Sequence, residues 1–121
     1  MELFRSLDKP DLIQGGCVAT VGSFDGVHMG HQSVLGQLQK HAEDLNLPSV
    51  VLTFEPQPRE YFQADAAPAR LSTFREKYLL LASQGIDNLV CLRFQASLAK
   101  MSAEEFVQRL FVEALGIKRI I

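Results

Sequence analysis

The chain has 121 residues, of which 47% are hydrophobic, 21% charged and 8% aromatic. These values are typical of one globular domain with a buried core, and they exclude a collagen-like, disordered or disulfide-dense chain. The 12 basic and 14 acidic side chains leave a formal net charge of -2, which argues against nucleic acid or a membrane surface as the partner.

The first residues are not expected to act as a signal peptide. Residues 1–14 are rich in charge and contain no long apolar run, so they do not form a signal peptide. No stretch of the chain approaches the roughly eighteen apolar residues of a membrane span. We therefore expect a cytoplasmic protein in which Cys17 and Cys91 are reduced core residues. The apolar residues among Met1–Arg5 predict a short edge strand.

Two apolar strands flank the first helix. Cys17–Val21 and Ser49–Phe54 are continuous runs rich in apolar and β-branched residues, which is typical of buried strands. Between them, a helical period places five apolar residues on one face: Val34, Leu35, Leu38, Ala42 and Leu45.

The second helix is delimited by a capping signal and a glycine. Thr73, or Ser72 before it, begins the helix with Glu76 as its capping-box partner, and Gly85 ends it. We interpret its charged residues as a solvated face: Arg75, Glu76 and Lys77.

A strand, a helix and a last strand complete the chain. The third strand covers residues 88–93. Ser102 and Glu105 repeat the capping signature at the start of the third helix, which Gly116 ends, and a fourth strand covers 118–121. The apolar positions of that helix are predicted to lie in the core: Phe106, Leu110, Phe111 and Leu115.

This alternation of strands and helices predicts an α/β fold, with a parallel sheet covered by helices on both faces. In such a sheet, ligands bind beyond the carboxyl ends of the strands, where the strand order reverses. The segments expected there are 22–31, 55–71 and 94–101.

The most informative stretch is Gly22–His31 (GSFDGVHMGH), between the first strand and the first helix. Gly22 and Gly26 allow a sharp turn and a close approach of backbone to ligand, and the helix N-terminus offers unpaired N–H groups to an anion. His28 and His31 lie three residues apart on one side of the first helical turn, and Gly30 leaves room beside them. The pattern favours a phosphate site.

Simpler interpretations stay open at this point. The glycines could serve only the turn, and the histidines could decorate the helix. Zinc is disfavoured, because H-x-x-H supplies two ligands where zinc sites use three or four, and we expect no metal ligation by this motif. The G-x-G-x-x-G dinucleotide fingerprint and the P-loop motif are both absent.

The stretch resembles the H-x-G-H signature of the α/β nucleotidyltransferases. Its extension through Phe24-Asp25-Gly26 is similar to the FAD synthetase (FMN adenylyltransferase) module of prokaryotes. Thr53–Pro58, Ala69–Leu71 and Gly85–Asp87 match that module as well, so the resemblance covers nearly the whole chain. It implies a Rossmann-like fold of the nucleotidyltransferase (HUP) type.

The resemblance also implies a reaction and its site. FMN would attack the α-phosphate of ATP, assisted by Mg²⁺, to give FAD and pyrophosphate. His28 and His31 would contact the ATP phosphates as catalytic residues. The other nucleotide-binding candidates are Gly22, Ser23, Phe24, Asp25, Gly26 and Gly30. The flavin-binding candidates, whose aromatic members could instead only pack on the sheet, are Pro56, Pro58, Tyr61 and Phe62.

Finally, the resemblance implies that residues 1–121 form an FAD synthetase domain that is incomplete at its C-terminus. The family's second, Ser/Thr-rich phosphate signature and its C-terminal riboflavin kinase domain are not in the sequence. We therefore expect weak nucleotide binding and little turnover from the chain alone, and a last strand that forms an exposed sheet edge. Two alternatives are another H-x-G-H nucleotidyltransferase, cytidylyl- or pantetheine-phosphate adenylyl-transferring, and a non-catalytic nucleotide-binding fragment.

Overall fold

A computed structural model of the protein describes residues 1–7, 12–24, 29–55, 62 and 73–121. Strands and helices alternate through these residues, as predicted. The strands are β1 (Glu2–Phe4), β2 (Cys17–Val21), β3 (Ser49–Phe54), β4 (Asn88–Leu92) and β5 (Ile117–Ile120). The helices are α1 (Met29–Leu45), α2 (Phe74–Ser83), α3 (Ala96–Ala99) and α4 (Ala103–Phe106), and α4 continues into a π-helical segment (Val107–Leu115).

The strands of the described residues form one parallel sheet in the order β1-β4-β3-β2-β5. The edge strand predicted near the N-terminus is confirmed, because β1 pairs with β4. The chain moves outward from β2 to β3 and β4, and then returns to place β5 on the other side of β2. The strand order therefore reverses between β2 and β5, which makes the end of β2 the topological switch point.

Helices cover both faces of the sheet, as the sequence predicted. On the first face, Val18 of β2 and Val51 of β3 pack with Leu35 of α1 and Leu81 of α2. The second face packs mainly against the π-helical segment, where the core includes Leu110 and Leu115. Because successive strand residues point to opposite faces, the central strands are buried on both sides and read as continuous apolar runs.

The predicted caps are present. Thr73 accepts a hydrogen bond from the backbone N–H of Glu76, and the Glu76 carboxylate accepts one from the Thr73 N–H, which completes the capping box of α2. Ser102 likewise accepts from the Glu105 N–H at 3.1 Å. Gly116 ends the π-helical segment with φ 61°, a left-handed conformation that suits glycine. Local sequence chemistry thus sets these element boundaries.

The third helix differs from its prediction in two ways. A separate short helix, α3, precedes it, and most of it has π-helical rather than α-helical hydrogen bonding. Since π-helical bonds join residues five apart, the wider turn keeps Leu110 and Leu115 on one inward face. Both are buried, and Phe106 and Phe111 pack against the same core, so the predicted core role of this helix is confirmed.

Two further predictions are confirmed, one on the cysteines and one on the last strand. Cys17 and Cys91 are buried thiols. Strand β5 lies at a sheet edge, paired with β2, and most of its residues are exposed. No helix in the described residues is long and apolar enough to cross a membrane.

Candidate active site at the carboxyl ends of the strands

The described strands are all parallel, so their carboxyl ends meet at one edge of the sheet. Gly22 follows β2, Glu55 follows β3, Arg93 follows β4 and Ile121 follows β5. The Ile121 N–H donates to Ala19 O at 3.0 Å, which continues the β2–β5 pairing to this edge. The turn after β2 therefore lies at the switch point, where ligands bind in open α/β sheets.

The turn after β2 is held by its neighbours and by its own aromatic side chain. The Gly22 N–H donates to Leu52 O at 3.1 Å, and the Thr53 hydroxyl lies 3.5 Å from Ser23 O as a long hydrogen bond. Phe24 has φ 50°, an uncommon left-handed conformation for a bulky residue, and is only 3% exposed. Such strain persists where the surroundings fix it, and it is frequent at ligand sites.

Gly22 is required by the ring of Phe24. A Cβ added at Gly22 would lie 2.8 Å from Cε2 and 3.2 Å from Cδ2 of Phe24. The backbone of Gly22 has no positive φ, so its conformation is open to other residues. The sequence predicted a close approach of the Gly22 backbone to a ligand, and in this structure the group that approaches Gly22 closely is the ring of Phe24.

His31 lies in the first turn of α1 and packs on Phe24. The ring centroids of Phe24 and His31 are 5.0 Å apart with an interplanar angle of 49°. His31 is half-buried, and its Nδ1 atom is fully buried. Among the described residues, the first turn of α1 contains no acidic residue, and the positive end of the helix dipole and the imidazole lie together there. This arrangement suits an anionic ligand.

An aromatic group borders the same edge on the second face of the sheet. Phe62 is 65% exposed, and its ring centroid lies 5.6 Å from that of Phe94, which follows β4. Phe94 in turn meets Phe54 of β3 edge-on at 5.6 Å. The exposed ring of Phe62 thus rests on the half-buried Phe94, which packs on the buried Phe54, and it presents an apolar surface at the carboxyl edge.

Lys77 corrects the predicted solvated face of α2. Arg75 and Glu76 are exposed as predicted, but the Lys77 side chain has 0% exposure and its Nζ lies 3.8 Å from Oε2 of Glu55, which is 16% exposed. Phe74, Lys77 and Leu81 follow the spacing of one helix face, and Leu81 is in the core. That spacing is the sequence signal that could have predicted a buried Lys77. The prediction of a solvated face followed instead the usual exposure of charged residues.

The predicted site residues divide into two groups. The structure brings together Gly22, Ser23, Phe24 and His31, it places Gly30 within α1, and it sets Phe62 beside Phe94. The other predicted residues lie outside the described part of the chain: Asp25, Gly26, His28, Pro56, Pro58 and Tyr61. Among the described residues, no group of three or more His, Cys, Asp or Glu side chains could hold a metal ion.

A separate cavity of about 730 Å³ lies at the opposite edge, near the amino ends of the strands. It is lined by the end of α1 and by the segment before β4, including Ser49 and Asp87. Asp87 accepts hydrogen bonds from the Ser49 N–H at 2.9 Å and from the Ser49 hydroxyl at 3.1 Å. Those contacts join the start of β3 to the segment before β4 and supply partners to the buried Ser49.

Comparison with known proteins relates the whole fold to one family. A sequence profile of the FAD synthetase family matches residues 11–121. The bifunctional riboflavin kinase/FMN adenylyltransferase of Escherichia coli (strain K12) is 48% identical over 119 residues, which cover 98% of this chain and 38% of that protein. The protein of the same description from Pseudomonas fluorescens is 45% identical over 120 residues, which cover 99% of this chain and 38% of that protein.

A solved structure has the same architecture. A protein described as a macrolide-efflux protein from Streptococcus pneumoniae superposes with a TM-score of 0.78 and 26% sequence identity. The superposition covers 100% of this chain and 40% of that one. This chain therefore spans well under half the length of the proteins it matches, and the matched region includes the turn after β2 and the start of α1.

Proposed function

The chain belongs to the FAD synthetase family, and on this basis we propose that it transfers the adenylyl group of ATP to FMN, forming FAD and pyrophosphate. The observation that carries the proposal is the meeting of His31 and Phe24 at the switch point, inside the region that the family profile matches. An imidazole at a helix N-terminus in this position suits the phosphates of a nucleotide.

The reaction needs positioning and charge neutralisation more than a protein nucleophile. A phosphate oxygen of FMN attacks the α-phosphorus of ATP, the bond to the bridging oxygen breaks, and pyrophosphate leaves. Negative charge develops on the transferred group and on the leaving group, so fixed donors aimed at these oxygens accelerate the step. We assign this role to His31 and to its motif partner His28, and we assign the phosphate cradle to the turn that begins at Gly22.

Mg²⁺ belongs to the proposal as the companion of ATP. Protein-bound Mg²⁺ usually keeps several waters and is held by one or two carboxylates together with substrate phosphates, which does not require a dedicated cage. The described residues contain no group of three or more His, Cys, Asp or Glu side chains that could hold the ion. Asp25 of the motif is a candidate ligand. When bound, the ion would neutralise phosphate charge and orient the phosphates.

The flavin side is proposed to be the aromatic surface at the end of β3 and β4. Phe62 is exposed while Phe94 supports it from behind, so one ring face is available to an isoalloxazine. The motif residues Pro56, Pro58 and Tyr61 are proposed to border the same ligand. The relatives' description further supports a bifunctional parent protein, in which residues 1–121 form part of the FAD synthetase domain and a C-terminal domain is the riboflavin kinase.

The experiment is an acceptor and nucleotide panel with the full-length protein that contains this chain. ATP with FMN is expected to yield FAD, detected by separating the flavins chromatographically. CTP with FMN, and ATP with phosphopantetheine, are expected to yield no product. Product from either of those pairs would favour another H-x-G-H nucleotidyltransferase, and nucleotide binding without any product would favour a non-catalytic module.

The role of His31 is tested by His31→Ala in the same protein. Loss of one such donor costs about 2.7 to 4 kcal/mol of transition-state stabilisation, so kcat for FAD formation is expected to fall about a hundredfold or more. The surface variant Lys40→Ala on the same helix is the control, since Lys40 is exposed. A near wild-type kcat in a folded His31→Ala protein would remove His31 from the reaction.

A further inference from the structure

We propose that Lys77 is a positioning residue for the flavin, acting through its ion pair with Glu55 at the end of β3. The proposal rests on the proposed function, because it deepens the flavin side of that site. Lys77 is fully buried and its ammonium lies 3.8 Å from the Glu55 carboxylate. Buried charged groups are retained where a partner compensates them, so each of these two side chains restricts where the other can lie.

The end of β3 is held from both faces of the sheet. Phe54 is in the core of the second face, where its ring meets Phe94 at 5.6 Å. Side chains alternate along a strand, so Glu55 turns toward the first face, which α2 covers and from which Lys77 reaches it. The Lys77–Glu55 ion pair therefore holds the end of β3 from the first face of the sheet, and the Phe54–Phe94 contact holds it from the second face.

Glu55 is also bound to the next strand through its backbone. The Glu55 N–H donates to Leu92 O at 2.8 Å, which extends the β3–β4 pairing by one residue beyond Phe54. Leu92 is followed closely by Phe94, whose ring supports Phe62. Displacement of Glu55 would thus be passed to the strand end that carries the proposed flavin surface. Lys77 itself, with no exposed surface, acts through Glu55 and does not touch the substrate.

This arrangement predicts a selective effect. The histidine side of the site is fixed by other contacts, because Phe24 packs in the core and directly on His31. Loss of the Lys77 charge should therefore weaken FMN binding and leave ATP binding nearly unchanged. A misplacement of about 1 Å can cost about a hundredfold in activity, and we expect a rise of about tenfold in KM and in Kd for FMN.

The test uses Lys77→Met in the full-length protein, with Lys77→Arg as the charge-preserving variant and Arg75→Met as the control. Arg75 is an exposed cation on the same helix. FMN affinity is measured by quenching of flavin fluorescence without ATP, and KM for each substrate is measured separately. Lys77→Met is expected to raise Kd and KM for FMN about tenfold with KM for ATP within twofold, whereas Lys77→Arg should restore most of the affinity and Arg75→Met should change neither.

Glu55→Asp keeps the test decisive if Lys77→Met fails to fold. It preserves both charges but shortens the reach of the carboxylate, and it is expected to raise Kd for FMN several-fold in a protein with a wild-type circular dichroism spectrum. Unchanged FMN affinity in folded Lys77→Met or Glu55→Asp, or an equal rise in KM for ATP, overturns the positioning role while FAD formation by the wild type stands. Absence of FAD formation by the wild type overturns the proposed function, and the positioning role falls with it.

Discussion

Gly22→Ala is expected to disturb the site through a single contact. The new Cβ would lie 2.8 Å from Cε2 of Phe24, whose ring is buried at 3% exposure and cannot swing into solvent. Overpacking of this kind costs about 1 to 3 kcal/mol. The ordinary φ of Gly22 means that alanine also restricts the unfolded chain, which offsets about 0.4 to 1 kcal/mol. We therefore expect a net loss of about 1 to 2 kcal/mol in the free energy of unfolding.

The same displacement is expected to reach the reaction, because the Phe24 ring packs on His31 at 5.0 Å. We predict that kcat for FAD formation falls about tenfold, within the range that small misplacements of catalytic groups produce. Urea denaturation followed by circular dichroism measures the stability, and the initial rate of FAD formation measures the activity.

A second substitution isolates the cause. Phe24→Leu removes the ring edge that the new methyl group would strike, so Gly22→Ala should cost little in the Phe24→Leu background. The double variant is expected to be more stable than the sum of the single changes predicts, by about 1 kcal/mol. Strict additivity would show that the alanine acts by some other route, and the explanation of this glycine would be wrong.

Three further predictions concern stability. Asp87→Ala is expected to lower the free energy of unfolding by about 2 kcal/mol, because the buried Ser49 N–H loses its acceptor. The KM values should stay unchanged, because Asp87 lies at the opposite edge of the sheet from the candidate site. A shift in KM would contradict that separation. Glu55→Gln should lower the free energy of unfolding by about 3 kcal/mol, because it leaves the ammonium of Lys77 in place at 0% exposure. Lys77→Met should cost less, because the Glu55 carboxylate that it leaves is 16% exposed and can turn to water. The reverse order in urea titrations would refute this asymmetry. Burial raises the pKa of the Cys17 thiol to about 11 from 9.0, so the unfolded state ionises first and stability falls as pH rises through that interval. Relative to Cys17→Ala, the wild type is expected to lose about 1 kcal/mol in free energy of unfolding between pH 9 and pH 10. Parallel curves of unfolding free energy against pH for the two proteins would contradict this.

Much of the architecture could be predicted because local chemistry and global fold agree. Strands β2, β3 and β4 are continuous apolar runs that only a sheet covered on both faces would bury. The capping residues Thr73 and Ser102 set the helix starts through bonds to their own backbone neighbours. Such signals depend on residues a few positions apart, and for that reason a sequence displays them.

Features that depend on distant contacts were not predictable in the same way. The role of Gly22 depends on where the Phe24 ring packs, and the burial of Lys77 depends on its ion pair with Glu55, the residue directly after β3. The π-helical bonding of Val107–Leu115, which has Leu110 and Leu115 in the core, was not indicated by any local motif in the sequence. The switch point was predicted as a general rule of parallel sheets, but the pairing of β5 with β2 required the structure.

The central claim is that the site transfers an adenylyl group to FMN, and isotope transfer tests it most directly. The full-length protein is incubated with FMN and ATP labelled either at the α-phosphorus or at the γ-phosphorus, and the flavins are separated and counted. We predict that the α-label appears in FAD in an amount equal to the pyrophosphate released, and that the γ-label is found in pyrophosphate and unreacted ATP but not in FAD. Absence of the α-label from the flavin product would contradict the account.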